Sequence, residues 1–224
     1  MSLGAMRIPI RSISPRLWAR LAGACYLIIF IAAPSGAATA TPVKMIMTLA
    51  CDAAVALIFY YLFAPVSRWL SFLGATFRLI YVAWMMVASL NYFHGLPFLK
   101  SDHSPAAFNS GYRIGIAIFG FHCLLIGYLI FKSSFLPRFL GVLMLIAGLC
   151  WLIFFFPRLA DSVSPYNLVA GGIGEGLLTI WLSAMGVNAE EWKQQAGSIA
   201  ESQSIDTVAV LRQEEDEKWR IKQR

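Results

Sequence analysis

Four ionisable residues, Asp52, Arg78, His122 and Glu175, stand inside long stretches that otherwise carry no charge. In hydrocarbon such a group costs several kcal/mol unless it is paired or faces a wet cavity, so each needs a partner or a task. At about 1.5 Å of rise per helical residue, Asp52 lies roughly 10 Å, Glu175 about 12 Å and His122 about 15 Å from the outer end of its stretch. Arg78, on a stretch that enters from the other side, lies on the order of 18 Å below the same surface, so all four fall in one central layer. Thr48 and Ala56 flank Asp52 at four residues either side, Ser71 and Gly74 precede Arg78, and Gly172 and Thr179 bracket Glu175. Small and polar stripes of this kind face other helices rather than lipid. The expectation is a buried cluster in which Arg78 pairs with Asp52, Glu175 or both, with His122 hydrogen-bonded beside them. If His122 is neutral, two acids against one arginine leave one negative charge in excess, suited to holding a proton or attracting a cation. The competing reading is architectural: buried ionic groups can fix one arrangement of helices and do nothing else.

Other patterns carry less. Gly171-Gly172-Ile173-Gly174-Glu175-Gly176 lacks both the spacing of a dinucleotide loop and the lysine of a P-loop, and close helix packing accounts for it. One haem cannot join His94, near the outer interface, to His122, near the middle. His94, Asp102 and His103 share a loop but no recognised metal-ligand spacing. His122 and Cys123 are the sole nucleophile candidates near the polar layer, and sequence neighbours point to different faces of a helix. No Ser, His and Asp arrangement suggests a triad. The sequence therefore points to no cofactor, no metal and no catalytic residue, and away from an enzyme.

The elements that must position the four residues follow from composition. Of the 224 residues 58% are apolar and 13% charged, far from the balance of a soluble domain. Six stretches are long enough to cross a bilayer: Leu21 to Val43, Met45 to Ser67, Trp69 to Phe93, Ile114 to Phe131, Phe139 to Pro157, and Tyr166 to Gly186. Helices are required, because backbone groups in hydrocarbon must be satisfied within the segment. The fold class expected is all-α, a bundle of about six transmembrane helices over residues 21–186, with a basic N-terminus at 1–20 and a polar tail at 187–224, helical or disordered. Pro34 should kink or shorten the first helix. Arg7, Arg11, Arg16 and Arg20 before an apolar run imitate a cleavable signal peptide, but the long leader favours retention. Lysine and arginine counts, with Arg7, Arg11, Arg16, Arg20, Arg68, Lys132 and Arg138 on one side against Lys44, Lys100, Arg113 and Arg158 on the other, predict both termini cytoplasmic in a cell inner membrane. The longest outer connection, His94 to Gly111, reads as irregular. Trp18, Trp69 and Tyr166 mark interfacial belts. Cys25, Cys51, Cys123 and Cys150 read as four free, buried thiols. The net charge of +6 comes from isolated basic residues without interleaved aromatics, which excludes a nucleic-acid surface. The tail, with Glu214-Glu215-Asp216-Glu217 and then Lys218, Arg220, Lys222 and Arg224, is solvated, or rests on anionic lipid.

Several stretches form a recognisable set: Arg20-Leu21-Ala22-Gly23 with Tyr26-Leu27, Cys51-Asp52-Ala53-Ala54-Val55-Ala56-Leu57, Phe77-Arg78-Leu79, the run from Gly120 to Leu129, the run from Leu136 to Leu143, Gly174-Glu175 and Trp181-Leu182. Together they resemble a family of prokaryotic membrane proteins, Domain of Unknown Function 4386. Asp52, Arg78, His122 and Glu175 all fall within them. The connection Pro34 to Lys44 is shorter than the resemblance implies, and the tail after Gly186 has no counterpart. The resemblance implies fold and membrane location and no reaction. Three classes of function stay open: a proton, ion or small-amphiphile binding protein of transporter or sensor type; a non-catalytic partner or scaffold subunit, or homo-oligomer, of a membrane complex; and an intramembrane lipid-modifying enzyme.

Overall fold

The computed structural model describes residues 14–94 and 104–198. Within them the chain forms eight α-helices and no strand: α1 Pro15–Ala32, α2 Pro42–Phe63, α3 Arg68–His94, α4 Pro105–Lys132, α5 Arg138–Leu152, α6 Pro157–Val163, α7 Tyr166–Ala184 and α8 Ala189–Ser198. Five are long and apolar enough to cross a membrane, and the count becomes six if α7 and α8, bent by 101° at their junction, are taken as one span. The all-α polytopic membrane bundle expected from composition is the fold observed.

Three helices start on the same local signal. Ser14-Pro15, Thr41-Pro42 and Ser104-Pro105 each supply a side-chain oxygen that accepts from the backbone N–H three residues on, followed by a proline at the first helical position. There the missing proline N–H costs nothing and φ is preset. These caps explain why the helices depart from the charge-free runs. The first helix begins at Pro15 and stops at Ala32, ahead of Pro34, so the rest of the run from Leu21 to Val43 is a connection containing a 3-10 turn at Ala37–Thr39. The second begins at Pro42, enclosing Lys44. The fourth begins at Pro105, so part of the connection expected to be irregular is helix, and Arg113 lies within it. Arg113 is accommodated there by an ion pair with Asp161 of α6, at 2.6 Å.

Six helices close into a ring in which each packs on its two neighbours, in the order α1, α2, α3, α4, α5, α7 and back to α1. Glycines permit the closest contacts. A Cβ on Gly23 would lie 2.6 Å from the backbone N of Ser183, which is the seam that closes α1 on α7. Gly120, Gly127, Gly141 and Gly148 bring α4 and α5 together; a Cβ on Gly141 would lie 2.7 Å from the carbonyl oxygen of Gly127. Such small-residue faces are how helices associate in lipid, where apolar burial supplies no net drive. Outward-facing apolar residues, among them Ile31, Ile46, Leu57 and Ile180, are exposed. Trp69 and Tyr166 are exposed at helix ends.

One end of the ring is covered. Helix α7 ends at Ala184 and the chain turns at Gly186, whose φ of +70° is the left-handed conformation that glycine adopts freely, with its N–H donating to Trp181 O. Asn188 then caps α8, its Oδ1 accepting from the N–H groups of Glu190 and Glu191. Helix α8 lies across the bundle end, where Trp192 Nε1 donates to Leu62 O at 2.8 Å and Gln195 Oε1 accepts from Ser134. The start of the polar tail is thus an ordered, docked helix, while 199–224, with its charge runs, lies outside the described residues, as do 1–13. All four cysteines are free, but Cys123 alone is buried; Cys25, Cys51 and Cys150 are half-exposed on helix flanks.

Candidate functional site

Arg78 is fully buried at the centre of the ring, and three helices other than its own supply its partners. Its Nε and Nη2 both donate to Asp52 Oδ1 on α2, at 3.0 and 2.6 Å. Its Nη1 donates to Tyr26 Oη on α1, at 2.5 Å, and meets His122 Nε2 on α4 at 3.1 Å. A guanidinium can only donate, so His122 Nε2 must accept and the imidazole is neutral. The ring's proton is then on Nδ1, which donates to the carbonyl of Gly74 at 2.8 Å. The rings of Tyr26 and Phe119 lie 4.6 and 5.1 Å from the guanidinium carbon, adding cation–π attraction in a dry setting. One turn from Gly74, Ser71 Oγ donates to Tyr60 O at 2.8 Å and pins α3 to α2.

Glu175 sits differently. It is buried on α7, and its Oε1 accepts the indole N–H of Trp151, from the end of α5, at 2.6 Å. Among the described residues no ion pair reaches it. Of the two pairings open to Arg78 in the sequence, the structure makes the one with Asp52. The physical reason is saturation: Asp52, Tyr26 and His122 take four of the five guanidinium N–H groups, and Trp151 holds the Glu175 carboxylate toward α5.

Glu175 and the Arg78 knot nevertheless share a cavity of about 210 Å³ to which all six ring helices contribute, with Asp52, Arg78, Tyr81, Tyr112, Phe119, Trp151 and Glu175 in its wall. Asp52 Oδ2 is wholly buried and has no hydrogen-bond partner among the described residues. A buried acceptor left so is costly. The cavity is walled by Ile29, Phe30 and Ala33 at the end where α1 stops. There it shares Tyr112 and Ile116 with a second cavity of about 420 Å³, bounded by Ser35 to Ala38, Arg113 and Asp161. A Cβ built on Gly172, which lines the inner cavity, would meet nothing within 4 Å.

Sequence reasoning missed Tyr26 and Trp151. Tyr26 had a readable signal, since it shares a helical stripe with Ala19, Ala22 and Gly23, where a large polar-tipped ring is out of place unless its hydroxyl is used. Trp151 had none, being one of seven tryptophans that fit an interfacial belt equally well. His94, Asp102 and His103 cannot be compared, because the His94 side chain and residues 95–103 lie outside the described residues. Among those described, no three potential ligands gather as a metal site would require.

These features define a polytopic α-helical membrane protein with an arginine-centred polar core. The chain belongs to the family described as Domain of unknown function (DUF4386), which matches residues 39–186. The match starts after α1, so the helix that carries Tyr26 lies outside it. An uncharacterized protein of Archaeoglobus fulgidus is 31% identical over 152 residues, 66% of this chain and 85% of that relative. No solved structure matches.

Proposed function

We propose that this chain is a membrane-embedded binding protein of transporter or sensor type, with one small ligand held in the inner cavity against Asp52, Arg78 and Glu175. The observation that carries this reading is a cavity of about 210 Å³ lined from all six ring helices, with the buried Glu175 carboxylate, which no ion pair reaches among the described residues, in its wall. A purely architectural core gains nothing from a void beside a buried carboxylate, since voids forfeit packing. The proposal includes orientation in the cell inner membrane, with both termini cytoplasmic and the cavity opening outward. In its support, Arg16, Arg20, Arg68, Lys132, Arg138 and Lys193 gather at the end covered by α8, against Lys44, Arg113 and Arg158 at the opposite end of the described residues.

Gly172→Cys, in a protein whose four native cysteines are replaced, tests both parts. A membrane-impermeant thiol reagent should label it from the external face only. Labelling from the cytoplasmic face overturns the orientation, and no labelling from either face overturns an accessible cavity.

A further inference from the structure

The cavity's chemistry narrows the ligand. Three ionisable groups whose charge state matters face it: Arg78, Asp52 and Glu175. Arg78 and Asp52 neutralise each other through two hydrogen bonds, and His122 is neutral by its bonding pattern. Glu175 has no ion partner among the described residues, so the ionised cavity carries one net negative charge. Around these carboxylates stand the aromatic side chains of Tyr81, Tyr112, Phe119 and Trp151, whose π faces attract cations. An anion would meet two carboxylates and an arginine whose donors are mostly engaged. A bare metal ion would find two carboxylates and an aromatic, apolar wall, fewer ligands than such ions take. A proton alone leaves the room unused.

We infer that the cavity takes a small organic monocation, an alkyl- or arylammonium, whose N–H donors meet Glu175 while its hydrocarbon part rests on the aromatic wall. This rests on the reading of the cavity as a ligand site. A cavity of roughly 150 Å³ holds benzene, so about 210 Å³ suits one ring with a short ammonium arm.

Benzylammonium, benzyl alcohol and benzoate, nearly equal in size, separate the possibilities. Binding to the detergent-purified full chain at neutral pH is followed by calorimetry and by melting temperature. Benzylammonium should bind saturably and raise the melting temperature, with the alcohol and benzoate weaker by at least about tenfold. Glu175→Gln should weaken benzylammonium by about tenfold or more while the protein still melts cooperatively. Gly172→Phe, which fills the cavity and leaves every charge in place, should abolish binding. If benzyl alcohol binds as tightly as benzylammonium and Gly172→Phe blocks both, the cavity is a ligand site and the cation inference is wrong; benzoate as the preferred probe is equally fatal to it. If none of the three binds, the inference falls, and labelling of Gly172→Cys then decides whether the cavity reading falls with it.

Discussion

The two sides of the polar core differ in how completely they are satisfied. On the Arg78 side, a buried guanidinium is met by a carboxylate, a phenol, an imidazole and two aromatic faces, and the imidazole is itself held by a backbone carbonyl. On the Glu175 side, a buried carboxylate has one indole donor and a cavity. The network around the guanidinium, with four of its five N–H groups engaged, specifies one arrangement of four helices, α1 to α4, and leaves Asp52 Oδ2 buried and unpartnered among the described residues. The Glu175 carboxylate, across the ring, leaves capacity for something that is not protein. Mutations should therefore divide: stability falls on the first side and ligand binding on the second.

The division can be broken most forcefully at Arg78. Arg78→Met should lower stability by about 3–5 kcal/mol, because it strands a buried Asp52 carboxylate. Asp52→Leu added to it should recover a large part, both read as melting temperature in detergent. A single mutant as stable as wild type would show that the knot holds nothing together. Tyr26→Phe removes one hydrogen bond to a charged donor and should cost about 1.5–3 kcal/mol by the same measurement; His122→Phe also removes the bond to Gly74 O and should cost more. No loss at Tyr26 would locate the lock within α2 to α4. Glu175→Gln sharpens the contrast from the other side. It keeps an acceptor for Trp151 and removes a buried charge without an ion partner, so stability should change by less than about 1 kcal/mol, and upward.

How much of this could be read from the sequence depended on what each feature needed. The existence of the six ring helices was legible, because twenty apolar residues have few alternatives in lipid, whereas the short α6 was not. Helix limits were not, because Ser14-Pro15, Thr41-Pro42 and Ser104-Pro105 set the starts irrespective of where charge ends. The family match over residues 39–186 takes in Asp52, Arg78, His122 and Glu175 but not the stretch from Arg20 to Leu27 on which the resemblance also drew. Asp52, Arg78 and His122 announced themselves by type, and helical rise placed them at a common depth. Which acid Arg78 takes was not legible, since it turns on azimuth around the ring: α2 is next to α3, and α7 stands across it. Helix α8 was hidden in a polar tail, where Asn188 and Gly186 are ordinary surface residues until the cap and turn are seen.

Asp52 and Arg78 lie on consecutive antiparallel helices joined by the short turn at 64–67. Their charges can meet within a single hairpin as the nascent chain enters the bilayer, well before the last helix has been synthesised. Inserted as a hairpin, the two helices would present an internally compensated pair in place of two separate ions, assembled by neighbours in time as well as in space.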